Sequence, residues 1–152
     1  MLEDIEEIKK VKAKYCFYLD GYYDDPSTLD SLLEEVFTED ALVDFGPLGS
    51  AKGREEIRNY YVNMVYGMLS FSMHMLLNPL IEIENENKAT GKWYFLAPST
   101  MKENNMAGWL AGMYNDEYEK KDGKWFIKSQ RVKWLFGTPY DKGWAEENII
   151  PT

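Results

Sequence analysis

The chain of 152 residues has one histidine, His74, inside FSMHMLL between Met73 and Met75. Imidazole titrates near pH 6.5 in water, so a neutral ring can take up a proton and return it within one catalytic cycle. The surrounding residues read as a period-two strand. That parity sets His74 on one face with Ser72 and Leu76, and sends Met73, Met75 and Leu77 to the other. On the residues alone, the plainer reading is a core histidine satisfied by a buried hydrogen bond. Cys16 is the single thiol; it sits mid-helix without a basic neighbour on its own turn, so no thiolate nucleophile is expected. Glu82, Glu84 and Glu86 interleave with Ile81 and Ile83, the pattern of a solvated strand face rather than of paired catalytic carboxylates. One histidine and one cysteine cannot supply a nitrogen- or sulfur-rich metal shell, and no calcium-loop spacing occurs. No metal or other cofactor is expected, and no internal disulfide can form.

Hydrophobic periodicity predicts the elements that must position these groups. Ile5, Ile8, Val11, Tyr15, Tyr18, Leu19 and Tyr22 recur at three- and four-residue steps, predicting an amphipathic helix from residue 3 to about 20, with its lysines on the far side and Gly21 as its stop. Ser27, with Asp30 three positions on, reads as a capping box for a short second helix striped by Leu29, Leu32, Leu33, Val36 and Phe37. ALVDF is a short strand, and REEIRNYYVNMVYG a third helix. Period two then takes over in FSMHMLLNPLIEIE, ATGKWYFLAPS, WLAGMYNDEYEK and KWFIKSQRVKWLF, a meander of long antiparallel strands. NENK reads as a tight turn, PSTMKENNMA as a longer loop, and KKDGKW carries the Asp-Gly pair of a primed hairpin turn.

The order of elements gives an α+β domain, 1–152, with residues from about 137 to 152 as a C-terminal tail that packs over an opening or a neighbouring subunit. A strongly curved antiparallel (mixed) sheet wraps around the N-terminal helices as a cone, whose mouth is a natural small-molecule site. With 45% hydrophobic and 15% aromatic residues, the chain can line a pocket as well as fill a core. Its formal charge of −9 repels phosphate backbones and anionic headgroups, so neither nucleic acid nor membrane is an expected partner. The N-terminus is charged from its third residue and no window approaches a membrane span, so a cytoplasmic location is expected.

The pieces IKKVKAKYCFYLDG, FSMHM, ATGKWYF and YNDEYEKKDGKWFIKSQRV together resemble the SnoaL-like part of the nuclear-transport-factor-2-like (cystatin-like cone) superfamily, nearest its bile-acid 7α-dehydratase and scytalone dehydratase branch. The resemblance implies a SnoaL-like α+β barrel, a hydrophobic substrate and a homodimer or homotrimer. It further implies that Tyr15, Asp20 and His74 face the cavity as catalytic residues. Tyr60, Trp93, Tyr94 and Trp109 are expected on the pocket wall. The branch's basic residue on the last strand corresponds to Arg131, or to Lys133 in a shifted register. A further carboxylate of the branch falls at Ala97, which favours a non-catalytic binding or accessory module as one alternative.

The implied reaction is dehydration of a polycyclic or aromatic hydroxy-carbonyl compound of steroid, bile-acid or polyketide type. His74 is its base, Asp20 the partner that holds the imidazole, and Tyr15 the donor to the carbonyl. A ketosteroid-isomerase-like proton shuttle, with Asp20 as base, is the other alternative. In an unbroken helix residues five apart diverge by about 140°, so Tyr15 and Asp20 share the cavity only if the helix ends at Asp20 and lets that side chain turn inward.

Overall fold

Helix α1 (Leu2–Gly21) turns Ile8, Val11, Tyr15 and Leu19 into the core, as the spacing predicts. The computed structural model describes residues 1–151; Thr152, the last residue of the expected tail, lies outside the described residues. One lysine breaks the expected polar face. Lys12 follows Ile8 by four and precedes Tyr15 by three, so it lies on the buried seam, fully enclosed. Helix α2 (Thr28–Glu35) buries Leu29, Leu32 and Leu33. Its capping box does not form, because the Ser27 N–H and hydroxyl both donate to Asp25 Oδ1, at 3.0 and 2.7 Å.

Strand β1 (Phe37–Asp44) and the short β2 (Ser50–Lys52) lead into α3 (Arg54–Tyr60). That helix widens into a π-helical turn, Tyr61–Val65, before a last helical turn at Tyr66–Met68. Such widenings re-aim side chains, and here they turn Tyr61, Met64 and Val65 towards one cavity.

The first long strand of the sequence reading is two strands, β3 (Leu69–Ser72) and β4 (Met75–Asn85), which pair in tandem with β5 (Lys88–Met101). Strands β6 (Met106–Lys121) and β7 (Lys124–Pro139) complete the meander. Much of PSTMKENNMA is strand rather than loop, and β7 runs to Pro139 before the tail begins. The Asp122–Gly123 turn has both residues at positive φ, as a primed hairpin turn requires.

The strands lie in the order β2-β1-β7-β6-β5-β3, with β4 also on β5. β1 and β7 are parallel and the other pairs antiparallel, so the sheet is mixed. Bulges in β7 at Lys128 and Leu135, each opposite an unbroken β6, bend the sheet around the helices. The result is the curled half-barrel expected from the order of elements. No helix among the described residues is long and apolar enough to cross a membrane.

Candidate functional site

Inside the curl lies a cavity of about 160 Å3, walled by side chains that include Phe45, Tyr60, Met64, Met68, Leu110 and Trp134. Tyr15, Tyr61, His74 and Tyr114 supply its polar groups.

The break between β3 and β4 places the histidine. Met73 N–H still reaches Pro98 O at 3.0 Å, but His74 falls outside both strands and its backbone N–H has no ladder partner. The carboxylate of Asp20, in the last turn of α1, takes that N–H on Oδ2 at 2.7 Å. Its Oδ1 accepts from His74 Nδ1 at 2.7 Å and from Ser72 Oγ at 2.9 Å. A carboxylate at a helix C-terminus faces the unfavourable end of the helix dipole, and these three donors offset it. A carboxylate accepts only, so Nδ1 carries a proton, and in the neutral ring the lone pair is then on Nε2. The ring is 12% exposed, lies on the cavity wall and has Phe95 at 6.4 Å between centroids.

Helix α1 stays helical through Gly21, so Asp20 and Tyr15 do diverge and the expected inward turn does not occur. Asp20 meets His74 because the β3–β4 break passes over the helix end. Tyr15 meets a different set of groups. Its hydroxyl accepts from Gln130 Nε2 at 3.0 Å and shares a hydrogen bond with the Tyr61 hydroxyl at 3.1 Å. Burial holds both phenols well above the usual tyrosine range, so both stay protonated.

Of the expected wall residues, Tyr60 lines the cavity, its hydroxyl fixed to Leu48 O at 2.9 Å. The others, and the two candidate basic residues of the last strand, do not line it. Trp93 points inward, but its indole N–H donates to Tyr118. Tyr94 alternates with Trp93 and Phe95 and is 43% exposed. Trp109 takes the face of β6 opposite Leu110. Arg131 and Lys133 are exposed, because after the Lys128 bulge the inward residues of β7 are Gln130, Val132 and Trp134. Parity counted back from Val132 and Trp134 points to Gln130; parity counted forward from Trp125 and Ile127 misses it.

Cys16 is buried, and although Lys12 lies one turn away, desolvation dominates and pushes its thiol up to about 12. Iodoacetamide at about pH 8, near the ordinary thiol pKa, is expected to leave Cys16 unlabelled in the folded protein and to label it after unfolding. Labelling at similar rates in both states would contradict its enclosure.

The tail returns over the cavity. Ile149 N–H donates to Gly137 O at 2.6 Å, Gly137 N–H donates to Asn148 Oδ1 at 2.9 Å, and Ile149 and Ile150 complete the wall. A Cβ on Gly137 would overlap Ile150 Cγ1. Gly137→Ala is therefore expected to lift the tail, measured as faster proteolysis within residues 140–151. Unchanged cleavage would show that the tail is not held there.

The sequence profile of the SnoaL-like domain matches residues 1–131. The chain belongs to the SnoaL-like domain family. Among curated relatives of this SnoaL-like chain, the γ-hexachlorocyclohexane dehydrochlorinase of Sphingobium indicum is 22% identical over 138 residues, covering 91% of this chain and 88% of the relative. Among solved structures, a type 2 hexachlorocyclohexane dehydrochlorinase (LinA) superposes with a TM-score of 0.83 at 21% identity, over 99% of this chain and 95% of the other. A candidate scytalone dehydratase from Novosphingobium aromaticivorans superposes with a TM-score of 0.79 at 22% identity, over 99% and 96%. A cystatin-like-fold protein from Nostoc punctiforme gives a TM-score of 0.72 at 24% identity, over 88% and 92%. The expected SnoaL-like, cystatin-like architecture is thus the observed one.

Proposed function

We propose that the protein is a cofactor-independent lyase that eliminates water from a hydrophobic aromatic or polycyclic hydroxy-carbonyl compound. The observation that carries this reading is the His74–Asp20 pair on the wall of an apolar cavity, with the imidazole held as its Nδ1–H tautomer. Nε2 takes a proton from the carbon beside the carbonyl, and the C–H electron pair moves onto the carbonyl oxygen as an enolate. When that pair returns to form the C=C bond, the C–O bond breaks and the imidazolium gives its proton to the departing hydroxide, releasing water. Asp20 stabilises the imidazolium, and the phenols of Tyr15 and Tyr61 stabilise the enolate oxygen. The apolar walls exclude water and strengthen both interactions.

The dehydrochlorinase relatives favour a second leaving group. The same base could remove a proton beside a carbon–chlorine bond, and chloride departs without needing an acid. A panel of steroid, bile-acid and polyketide-like hydroxy-ketones, with chlorinated cyclohexanes alongside, separates the two. A new conjugated chromophore and loss of water from a hydroxy-ketone support the dehydratase reading. Chloride release alone supports the second. Isomerisation without loss of mass would point to a proton shuttle, and binding without turnover throughout would leave a binding module.

A further inference from the structure

A continuous hydrogen-bond chain runs behind the cavity wall, and none of its inner members takes part in the proton transfer described above. Lys12 Nζ sits 2.8 Å from Asp116 Oδ2 and 2.7 Å from Gln130 Oε1, fully buried, with its charge over the Tyr114 ring at 3.7 Å. Tyr118 donates to Asp116 Oδ2 at 2.7 Å. From Gln130 the chain passes through Nε2 to the Tyr15 hydroxyl and on to that of Tyr61.

The direction of the chain follows from donor counting. An ammonium only donates, so the Gln130 atom facing Lys12 is the carbonyl Oε1, and the amide must turn its NH2 to Tyr15. That NH2 only donates, so Tyr15 accepts from it and cannot donate back. Tyr15 and Tyr61 together carry two hydroxyl protons, and one lies between their oxygens. The other has no acceptor behind the wall, whichever phenol bears it; both tyrosines are fully enclosed residues of the cavity wall, with Tyr114 as the neighbouring phenol there.

We infer that Gln130, held by Lys12, is a positioning residue that makes the Tyr15–Tyr61 pair present one O–H to the cavity, selecting ligands that carry an oxygen acceptor. This rests on reading the cavity as the substrate site and deepens that reading, since it favours a carbonyl compound over a halogenated hydrocarbon.

The test uses 2-acetylnaphthalene and 2-ethylnaphthalene, of similar shape, the first with a carbonyl and the second without. Neither has a leaving group to lose, so the outcome is independent of turnover. The wild-type protein is expected to bind the ketone about fivefold more tightly than the hydrocarbon, with its infrared carbonyl stretch lowered by a hydrogen bond. In Gln130→Glu, whose titratable neighbours are Lys12, Asp116, Tyr15, Tyr61 and Tyr114, the protonated acid can donate in the amide's place but the carboxylate can only accept. Ionised Glu turns the Tyr15 proton away from the cavity and draws the Tyr61 proton after it. The stretch is therefore expected to be lowered at acidic pH and to revert as pH rises, while the wild type stays flat and hydrocarbon affinity stays level in both. The double variant Tyr15→Phe/Tyr61→Phe is expected to lose the shift at every pH. A purely structural role for Gln130 would give no pH dependence. The inference is overturned by a wild-type protein that prefers the hydrocarbon or binds both probes alike, by a pH-independent stretch in Gln130→Glu, or by a shift that survives loss of both phenols.

Discussion

His74→Ala is expected to lower turnover of a hydroxy-ketone substrate by about 10²- to 10⁴-fold, the usual contribution of a positioned general base, while the protein stays folded and still binds ligand. The backbone geometry of the site explains why the fold survives. Asp20 keeps two of its three donors, the Ser72 hydroxyl and the backbone N–H of residue 74. The lost ring lies beside the cavity rather than among the fully enclosed side chains of α1 and α2. Asp20→Asn should fall in the same direction for a different reason. An amide can turn its NH2 toward Nδ1, which would favour the tautomer with its proton on Nε2 and leave no base facing the ligand. Steady-state rates with circular dichroism on both variants check this, and wild-type rates in His74→Ala would remove the histidine from the chemistry.

The second large effect concerns stability. Lys12→Met leaves the Asp116 carboxylate buried with only the Tyr118 hydroxyl as donor, and strips Gln130 Oε1 of its partner. Burial already drives the two groups toward neutrality, lowering the Lys12 ammonium and raising the Asp116 carboxyl against their mutual attraction. Breaking such a pair costs about 3–5 kcal/mol, which for a domain of this size corresponds to a Tm drop of roughly 6–20 °C. Replacing both partners removes the stranded charge, so Lys12→Met/Asp116→Leu is expected to recover most of that loss. Thermal unfolding of the three proteins measures it. A single variant as stable as the wild type, or a double variant no better than the single, would contradict a tightly coupled buried pair.

How far the fold could be read in the residues depended on whether local pattern and tertiary packing agreed. Helix α1, the Asp-Gly turn and the helix-helix-strand-helix-meander order all carry strong local signals, and the structure has them. Lys12 was hidden by its charge, although its spacing from Ile8 and Tyr15 puts it on the apolar seam. The break at Met73–His74 carries no glycine or proline to mark it, and the register along β5 runs on unchanged from Ser72 opposite Ser99 to Met75 opposite Leu96; what marks it is tertiary, the Asp20 carboxylate taking the His74 N–H. The β7 bulge reverses inward and outward within KWFIKSQRVKW, which is why Arg131 looked available and Gln130 did not. The histidine, aspartate and tyrosine were legible as residues. Of their arrangement, the pairing of Asp20 with His74 followed from the family resemblance, while the placing of Tyr15 in a separate phenol and amide chain did not.

The proposed chemistry depends most directly on which nitrogen of His74 carries the proton. Because the chain has a single histidine, untagged protein labelled with 15N-histidine yields one imidazole, free of overlap. The expected spectrum shows Nδ1 protonated and Nε2 bare, with the Nε2 resonance shifting when an aromatic ketone fills the cavity. A ring protonated on Nε2, or an Nε2 resonance indifferent to the ketone, would contradict the assignment of this histidine as the base.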